Sequence, residues 1–450
     1  MKTIKLFLTL IALLTSQYSA QASDLINFPK SESAMIGVYI KDLRTNKILA
    51  SQNSYKLFTP ASVTKSVTTA GAILSLNPNF RFRTNIYLIG DTSIYNDTIK
   101  CNIVVKASGD PTIESRYFSN RMGLTDSIAN TINKLGVKHI LGEIVIDESN
   151  VDVANTSSTW MVEDIAWDYG TQLAAFNYKD NCIDVNILDA DQNQLYDLTI
   201  DNQISIGDTD SIVAIRGVDS NTLKLSGTVK NNKQNKNKCI LFSAPSPQNI
   251  FKADLISSLS QLGITISHAI NETKKDSRLI HSHLSPKRDQ ILRSLMVRSD
   301  NLFAEGMLNA ITLKGNRTHS LISLIKSKGI NVNTITLYDG SGLSRTDRIS
   351  PIFLGKLYEY MAKSNFSKQY VATFPIVGRE GTVKRLLTGT DLAGKLRLKS
   401  GSMGGVQCYG GYKIDDNGEP THAVVIMINH YNCKSAYIRK AIERLLLKIF

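Results

Sequence analysis

The sequence predicts an α+β fold in which an antiparallel sheet flanked by helices is split by a long β-rich insertion. Strand-like segments lie near both ends of the chain, and a final helical pattern covers residues 435–447. The terminal strand-like segments are 35–42, 47–52, 395–399, 407–414 and 422–429. Strand-like segments at both ends flank a central part with a different residue pattern. We therefore expect one sheet built from two distant parts of the chain.

The central part of the chain alternates short strand-like runs with polar turns. Helical patterns return after it, beginning with a long one over residues 287–309. We therefore expect a discontinuous domain formed by residues 23–80 and 285–450. Residues 81–284 are expected to form an inserted region with two β-rich subdomains.

The first 22 residues are typical of an export signal. Lys2 and Lys5 precede an apolar core over residues 6–14, and a small-residue cleavage site follows at Ala20 to Ala22. The apolar core is too short for a stable membrane anchor, and no later apolar run in the sequence has spanning length. We expect a mature chain without a transmembrane segment, in the periplasm or at the outer face of the cytoplasmic membrane.

Composition argues against two classes of function. The formal net charge is +13, but the basic residues are spread along the chain, and the densest patch, 230–238, reads as a hairpin tip. This favours attraction to anionic envelope polymers, or simply solubility, over nucleic-acid binding. The five cysteines are scattered, and only His281 and His283 form a close histidine pair. We therefore predict no metal site and no cofactor.

The first candidate for chemistry is the stretch Thr59 to Lys65. Thr59 is a good N-cap and Pro60 suits the first helical position, so a helix is predicted from here through Leu76. Ser62 would lie in the first turn, and Lys65, three residues later, on the same face. A serine hydroxyl beside a lysine amine at a helix start is an arrangement for nucleophilic attack.

Ser-x-x-Lys is weak by itself, because a second copy, Ser323 to Lys326, lies in an ordinary amphipathic helix pattern. Two further motifs follow the first copy in order: Ser299-Asp300-Asn301 and Lys399-Ser400-Gly401. The former lies in the long helical pattern, although a Ser and an Asn two apart can serve one cleft only at a loop or helix end. The latter ends a strand-like run. The three motifs in this order are the signature of penicillin-binding proteins and class A β-lactamases.

The chain resembles the class C low-molecular-mass penicillin-binding proteins, of the D-alanyl-D-alanine carboxypeptidase/endopeptidase family. More than two hundred residues separate Ser62 from Ser299, and this family carries large insertions there. The stretches Ser108 to Thr112, Asp339 to Arg345 and Gly381-Thr382 are also similar to it. The resemblance implies a β-lactamase/transpeptidase-like fold for the discontinuous domain. The third motif departs by having Ser400 where threonine is more usual, but a hydroxyl is retained.

The resemblance implies a serine D-Ala-D-Ala carboxypeptidase, with DD-endopeptidase activity as an option, acting on peptidoglycan stem peptides and binding β-lactam antibiotics covalently. Ser62 would form the acyl-enzyme. Lys65 can act as its base only if its pKa is lowered, for which Lys399 is the candidate cation. Ser299 could relay a proton towards the leaving amine.

The substrate-binding residues implied by the resemblance are Asn301, Lys399, Ser400, Gly401 and Ser402. Asn301 would hydrogen-bond the substrate amide, and Lys399 with the Ser400 hydroxyl would hold the terminal carboxylate. The oxyanion hole would consist of backbone N–H groups of the nucleophile and of Ser402. Gly401 would allow close backbone approach.

Two further residues could hold the amino-acid end of a diaminopimelate side chain. In the family that the chain resembles, a carboxylate of the inserted region can receive the amine. The stretch Trp160 to Asp164, with Tyr169 following, matches that place, so the resemblance nominates Asp164. Arg345 could take the carboxylate at the same end. The alternative is a surface salt bridge for Asp164 and an ordinary turn residue at Arg345.

Two other functions stay open from the sequence. A serine β-lactamase or esterase on the same fold would use the same nucleophile. A catalytically idle wall-binding or sensor protein is the alternative from another class. Such a protein would be expected to have lost the Ser, Lys or Asn of the motifs, and this chain retains all three.

Overall fold

The computed structural model describes residues 26–118, 123–153, 158–189, 193–230, 239–268, 276–312 and 316–450. The predicted export signal, 1–22, and most of the basic patch 230–238 lie outside these residues. Contacts group the chain into two compact units. The first unit contains the chain up to Leu74, Leu295–Ser299 and Thr318–Phe450, and the second contains Ser75–Ser294 and Asp300–Arg317. The domain limits expected from the sequence stay a prediction.

The helices of the described residues are numbered here in chain order. They are α1 (Thr64–Ser75), α2 (Leu124–Lys134), α3 (Val162–Ile165), α4 (Pro247–Gln261), α5 (Arg288–Arg298), α6 (Asn301–Ile311), α7 (Arg317–Ser327), α8 (Pro351–Lys363), α9 (Ser367–Thr373) and α10 (Ser435–Ile449).

The strands are numbered in the same way. They are β1 (Met35–Asp42), β2 (Ile48–Gln52), β3 (Arg83–Tyr95), β4 (Thr98–Lys106), β5 (His139–Leu141), β6 (Ile144–Asp147), β7 (Cys182–Asn186), β8 (Gln194–Leu195), β9 (Leu198–Gly207), β10 (Ser211–Ile215), β11 (Thr222–Lys230), β12 (Cys239–Ser243), β13 (Thr265–Ser267), β14 (Asp276–Leu284), β15 (Ile335–Thr336), β16 (Arg348–Ile349), β17 (Leu396–Met403), β18 (Val406–Ile414) and β19 (Pro420–Asn429).

The first unit is organised around a five-stranded antiparallel sheet in the order β17-β18-β19-β1-β2. The pairing of Val38 with Ile426 joins the N-terminal and C-terminal parts of the chain in the middle of this sheet. Both strands are buried over most of their length, since helices cover both faces. The predicted helix-flanked antiparallel sheet is therefore present.

One face of this sheet packs against α10. The buried residues Ile438, Ile442 and Leu445 follow the spacing of an amphipathic helix and belong to one apolar cluster with Val424 and Ile426 of β19. Removing this apolar surface from water fixes the helix on the sheet.

The opposite face carries hydroxyl contacts that hold α1 in place. The Tyr370 hydroxyl donates to the Ser66 carbonyl oxygen at 2.9 Å, and the oxygens of the Ser66 and Tyr358 hydroxyls lie 2.8 Å apart. The Tyr412 hydroxyl of β18 donates to the Tyr358 carbonyl oxygen at 2.8 Å. Since Ser66 lies on the first turn of α1, these contacts set the position of the turn that precedes it.

The second unit has its own sheets and core. Its larger sheet runs β13-β5-β4-β3-β14, with β6 pairing with β4, and a four-stranded sheet runs β10-β11-β9-β8. Strands β7 and β12 form a separate antiparallel pair. Ile128 of α2 and Leu255 of α4 lie in one buried cluster with residues of these sheets.

The five cysteines are free thiols. Among the residues described, no helix combines the length and the apolar character needed to cross a bilayer. The same residues contain no cluster of three or more metal-ligating side chains.

We expect Tyr412→Phe to lower the free energy of unfolding by about 1 kcal/mol, because the buried Tyr358 carbonyl loses a donor. Urea unfolding followed by far-UV circular dichroism would measure this. The matched control is Tyr437→Phe, which removes the hydroxyl of a tyrosine that is 48% exposed and should change stability by less than about 0.5 kcal/mol. Equal effects of the two substitutions would contradict the role given to the Tyr412 hydroxyl.

Candidate active site

The candidate nucleophile Ser62 lies in a 3₁₀ turn, Ala61–Val63, which leads directly into α1. The predicted N-cap at Thr59 is wrong. Its hydroxyl accepts a hydrogen bond from Arg348 at 3.0 Å, and its N–H donates to the Asn429 side chain at 2.7 Å. Ala61 has a φ of 47°, a left-handed conformation that is strained for a residue with a Cβ. The turn is held by contacts to distant residues instead of by a local cap.

Lys65 is fully buried on the first turn of α1. Its Nζ atom lies 3.0 Å from Oγ of Ser62 and donates to the Ser341 carbonyl oxygen at 2.6 Å. A hydrogen bond to a fixed backbone carbonyl holds the amine against the Ser62 hydroxyl. The Ser-x-x-Lys spacing therefore produces the predicted contact.

The loop that holds Lys65 is folded by a buried carboxylate. Asp339 accepts hydrogen bonds from the N–H groups of Gly342 at 2.6 Å and Ser344 at 2.7 Å. Gly342 has a φ of 78°, and a Cβ there would lie 2.0 Å from the Ala61 carbonyl oxygen. Within this stretch, a role was predicted only for Arg345. The Asp-Gly-Ser-Gly composition of the stretch was the signal for a tight turn.

Ser299 lies at a break between two helices. The predicted continuous helix over 287–309 is wrong, because α5 ends at Arg298 and α6 begins at Asn301. Ser299 has a φ of 66°, and the Asp300 side chain caps α6 by accepting from the Phe303 N–H at 2.8 Å. An internal N-cap explains why a continuous apolar pattern is interrupted at this point.

Lys399 lies inside a strand. The predicted strand 395–399 is too short, since β17 continues to Met403 and includes the whole Lys399-Ser400-Gly401 motif. Lys399 is fully buried, and its Nζ atom donates to the Ser299 hydroxyl at 2.9 Å and to the Ser400 carbonyl oxygen at 2.7 Å. The third motif and the serine of the second are thus in direct contact.

Burial lowers the pKa of Lys399 well below its usual value, and the charge on Lys65 lowers it further. The sequence interpretation makes Lys399 the cation that keeps Lys65 neutral. In the structure, burial also disfavours a positive charge on Lys399 itself. Because the repulsion acts on both ammonium groups, the pair favours a neutral amine at one of the two positions.

Gly401 permits the close approach of β17 to the Ser62 turn. A Cβ at this position would lie 2.4 Å from the Pro60 carbonyl oxygen and 3.1 Å from the Ser62 nitrogen. Real side chains do not tolerate the shorter distance, so the backbone contact requires glycine. Ser402, the next residue, is exposed at the same strand end.

The Ser400 hydroxyl donates to the hydroxyl of Thr382 at 2.6 Å. Thr382 follows Gly381, whose φ is 49° and where a Cβ would lie 2.1 Å from the Val297 carbonyl oxygen. Gly381-Thr382 contributes to the family resemblance, but Thr382 was not predicted as a site residue. The glycine before it was the available signal, since it marks a close backbone contact.

A cavity of about 520 Å³ in the first unit joins these groups. Ser62, Ser299, Thr382, Ser400 and Ser402 all contribute to its lining. The cavity therefore places hydroxyl groups from three other segments of the chain around the candidate nucleophile.

Arg345 lies beside the turn between β17 and β18. Its Nη1 atom is 3.9 Å from the position that a Cβ at Gly404 would occupy. Its carbonyl oxygen accepts a hydrogen bond from Arg348 at 2.8 Å.

Asn301 and Asp164 belong to the second unit, where Tyr169 links them. The Asn301 side chain donates to the Tyr169 carbonyl oxygen at 2.7 Å. The Tyr169 hydroxyl donates to the Asp164 carboxylate at 3.1 Å, and burial together with the Asp164 charge raises the pKa of Tyr169. Asp164 and Arg345 lie in different units, and their joint role stays a prediction.

The sequence profile of the D-Ala-D-Ala carboxypeptidase 3 (S13) family matches residues 18–449. The chain belongs to this family. The family predicted from the three motifs is therefore confirmed, and this family membership identifies a serine hydrolase.

Relatives with known names or solved structures match most of this chain. It is 27% identical over 425 residues to the D-alanyl-D-alanine carboxypeptidase DacB of Haemophilus influenzae, with 89% of this chain and 86% of the relative covered. The crystal structure of penicillin binding protein 4 from Haemophilus influenzae is similar, with a TM-score of 0.76 and 24% identity over 94% of this chain and 97% of the other. The same protein in complex with a β-lactam gives a TM-score of 0.71 at 25% identity, with the same coverage. The predicted fold class is confirmed.

We expect Gly401→Ala to slow labelling by fluorescent penicillin by at least about a hundredfold, because the added Cβ would displace the Ser62 turn and a misplacement of 1 Å costs about that much. The matched control is Gly404→Ala in the following turn, where the nearest atom to the new Cβ lies 3.9 Å away. Gel-based labelling time courses would compare the two variants. Similar rates in both would contradict the close-approach role of Gly401.

A second prediction concerns the pH dependence of stability. Because folding lowers the pKa of Lys399, its charge destabilises the native state fully below the folded pKa, and this cost disappears as pH rises towards the unfolded pKa near 10.5. Lys399→Met should remove this dependence. We expect the unfolding free energy of the native protein, minus that of the variant, to increase between about pH 7 and about pH 10. Urea unfolding at both pH values would measure it, and a constant or falling difference would contradict the burial of a disfavoured charge.

Proposed function

We propose that this protein is a serine D-Ala-D-Ala carboxypeptidase, which also cleaves D-Ala–diaminopimelate cross-links, through an acyl-enzyme on Ser62. The observation that carries the proposal is the 3.0 Å contact between the buried Lys65 amine and the Ser62 hydroxyl. A hydroxyl with an adjacent amine fixed by a backbone carbonyl has the geometry of an activated nucleophile. Membership of the S13 family supports the substrate bond.

Acylation requires Lys65 in its neutral form. The Lys65 amine takes the Ser62 proton as Oγ bonds to the carbonyl carbon of the penultimate D-alanine. The bond from that carbon to the leaving nitrogen breaks, and the leaving amine receives the proton that Lys65 took, which returns Lys65 to its neutral form. The contact between Lys399 and Ser299 at 2.9 Å supports a path for that proton through the Ser299 hydroxyl. Backbone N–H groups of Ser62 and Ser402 would stabilise the oxyanion.

Deacylation returns the enzyme to its starting state. Water adds to the ester carbonyl, the bond to Ser62 Oγ breaks, and the serine hydroxyl is regenerated with release of the shortened peptide acid. The same Lys65 amine is placed to accept the proton of the attacking water and return one to Oγ. No cofactor or metal ion enters these steps.

Substrate binding is proposed for the remaining motif residues. The paired hydroxyls of Ser400 and Thr382 beside Lys399 suit the terminal carboxylate of the substrate. Asn301 would bond the substrate amide. Asp164 would receive the amine of diaminopimelate and Arg345 its carboxylate, and the Tyr169 hydroxyl that orients the Asp164 carboxylate supports the first assignment.

The proposal extends to antibiotics and to location. A relative with this fold has been solved in complex with a β-lactam, and the strained carbonyl of a β-lactam would acylate Ser62 as the peptide does. The export signal predicted over 1–22 supports a place outside the cytoplasm, where peptidoglycan stem peptides are found.

Penicillin treatment followed by mass spectrometry tests the nucleophile. We expect one penicillin adduct on the Ser62 peptide, and none in Ser62→Ala. The matched control is Ser323→Ala, which alters the second Ser-x-x-Lys copy inside α7 and should leave labelling unchanged. An adduct elsewhere, or none, would overturn the proposed role of Ser62.

The same adduct separates the peptidase from the open alternatives. Retention of the adduct for hours favours the peptidase, whereas release within seconds would indicate a β-lactamase. A protein that forms no adduct and hydrolyses no D-Ala-D-Ala peptide would be an idle binding protein. The buried Lys65 amine against Ser62 argues against this last possibility, since an unused buried amine is costly.

A further inference from the structure

Three basic side chains line the cavity at Ser62 without a role in the proposed chemistry. Lys384, Arg385 and Arg439, here called the cationic wall, all contribute to its lining. Within the described ranges none of the three forms an ion pair. The neighbouring carboxylate on α10, Glu443, accepts from the Leu387 backbone N–H at 2.9 Å. The wall therefore places three basic residues at the lining of the cavity.

The cationic wall adjoins the groups proposed to bind the terminal carboxylate. Lys384 and Arg385 follow Thr382 by two and three residues, and Thr382 shares a hydrogen bond with Ser400. Arg439 approaches from α10. Burial raises the pKa of Tyr409 and the charge of Arg439 opposes that shift, which places Arg439 near the Tyr409 ring. Tyr409 is the cross-strand partner of Ser400.

This location indicates which part of the substrate the cationic wall would contact. The terminal carboxylate belongs to the residue that leaves on acylation, so groups beyond Ser400 and Thr382 face the leaving part of the substrate. In the carboxypeptidase reaction, that part is a single D-alanine and ends at its carboxylate. In a cross-link, the leaving residue is the diaminopimelate of a second stem peptide, which carries further carboxylates on glutamate and at its C-terminal end.

We propose that Lys384, Arg385 and Arg439 form a subsite for the acidic leaving strand of a cross-linked peptide, and that this subsite favours endopeptidase cleavage over removal of terminal D-alanine. Guanidinium groups suit the purpose, because they bind carboxylates through paired hydrogen bonds. The inference rests on the proposed function, since it assigns specificity to the same nucleophile.

The test compares two substrates of the same enzyme. The double variant Arg385→Ala/Arg439→Ala is expected to lower kcat/KM for a cross-linked muropeptide dimer about tenfold, as two carboxylate contacts are lost. It should change kcat/KM for a monomeric pentapeptide by less than about twofold. The matched control is Lys434→Ala/Lys440→Ala, which removes two exposed positive charges from the start of the same region outside the cavity. Chromatography of the released peptides measures both reactions.

The outcomes separate the subsite from simpler explanations. An equal loss on both substrates would overturn the subsite, because general attraction of acidic peptides acts on both. An equal loss in the control variant would do the same. Rates for the dimer should also fall with added salt more steeply in the native protein than in the double variant.

Failure of the proposed function would be recognised separately. If the native protein cleaves neither substrate, the affinity of Ser62→Ala for the dimer and for the monomer is measured by calorimetry, with and without the two arginines. A selective loss of dimer affinity of about tenfold supports the cationic wall, and unchanged affinity overturns it.

Discussion

The packing of the Ser62 turn between two glycine-bearing segments is the constraint on which the site depends. At Gly401 the strand β17 approaches the turn from one side, and at Gly342 the Asp339 loop approaches it from another. At neither position does a Cβ fit. The strained conformation of Ala61 is maintained by this surrounding backbone, because a free turn would relax it.

The same close packing makes the electrostatics of the site possible. Two lysines on different elements are fully buried near a single cavity. Each amine lies within hydrogen-bond distance of a backbone carbonyl and of a serine hydroxyl, which accept from two of its N–H groups. The site thus combines a cost of charge at Lys399 with hydrogen-bond acceptors for both amines.

The sheet and the family could be predicted from the sequence, because strand alternation and the order of the three motifs can be read directly from the residues. Prediction failed where distant residues decide local structure. Thr59 is a good cap by type, yet Arg348 and Asn429 take its polar groups. The apolar pattern over 287–309 hides the break at Ser299, which the Asp300 cap creates. Thr382 could not be recognised, since its partner Ser400 comes from another segment.

The pairing of β1 with β19 has a consequence for the order of folding. The segment that bears Ser62 is made early, but its strand neighbours are encoded more than three hundred positions later. Closing so long a loop is entropically costly, and such non-local pairing is slow. The Ser62 turn therefore lacks the close packing of Gly401 until strand β17 is in place. A chain without its last strands has no completed site, so the chemistry of Ser62 becomes available only after the whole sheet has formed.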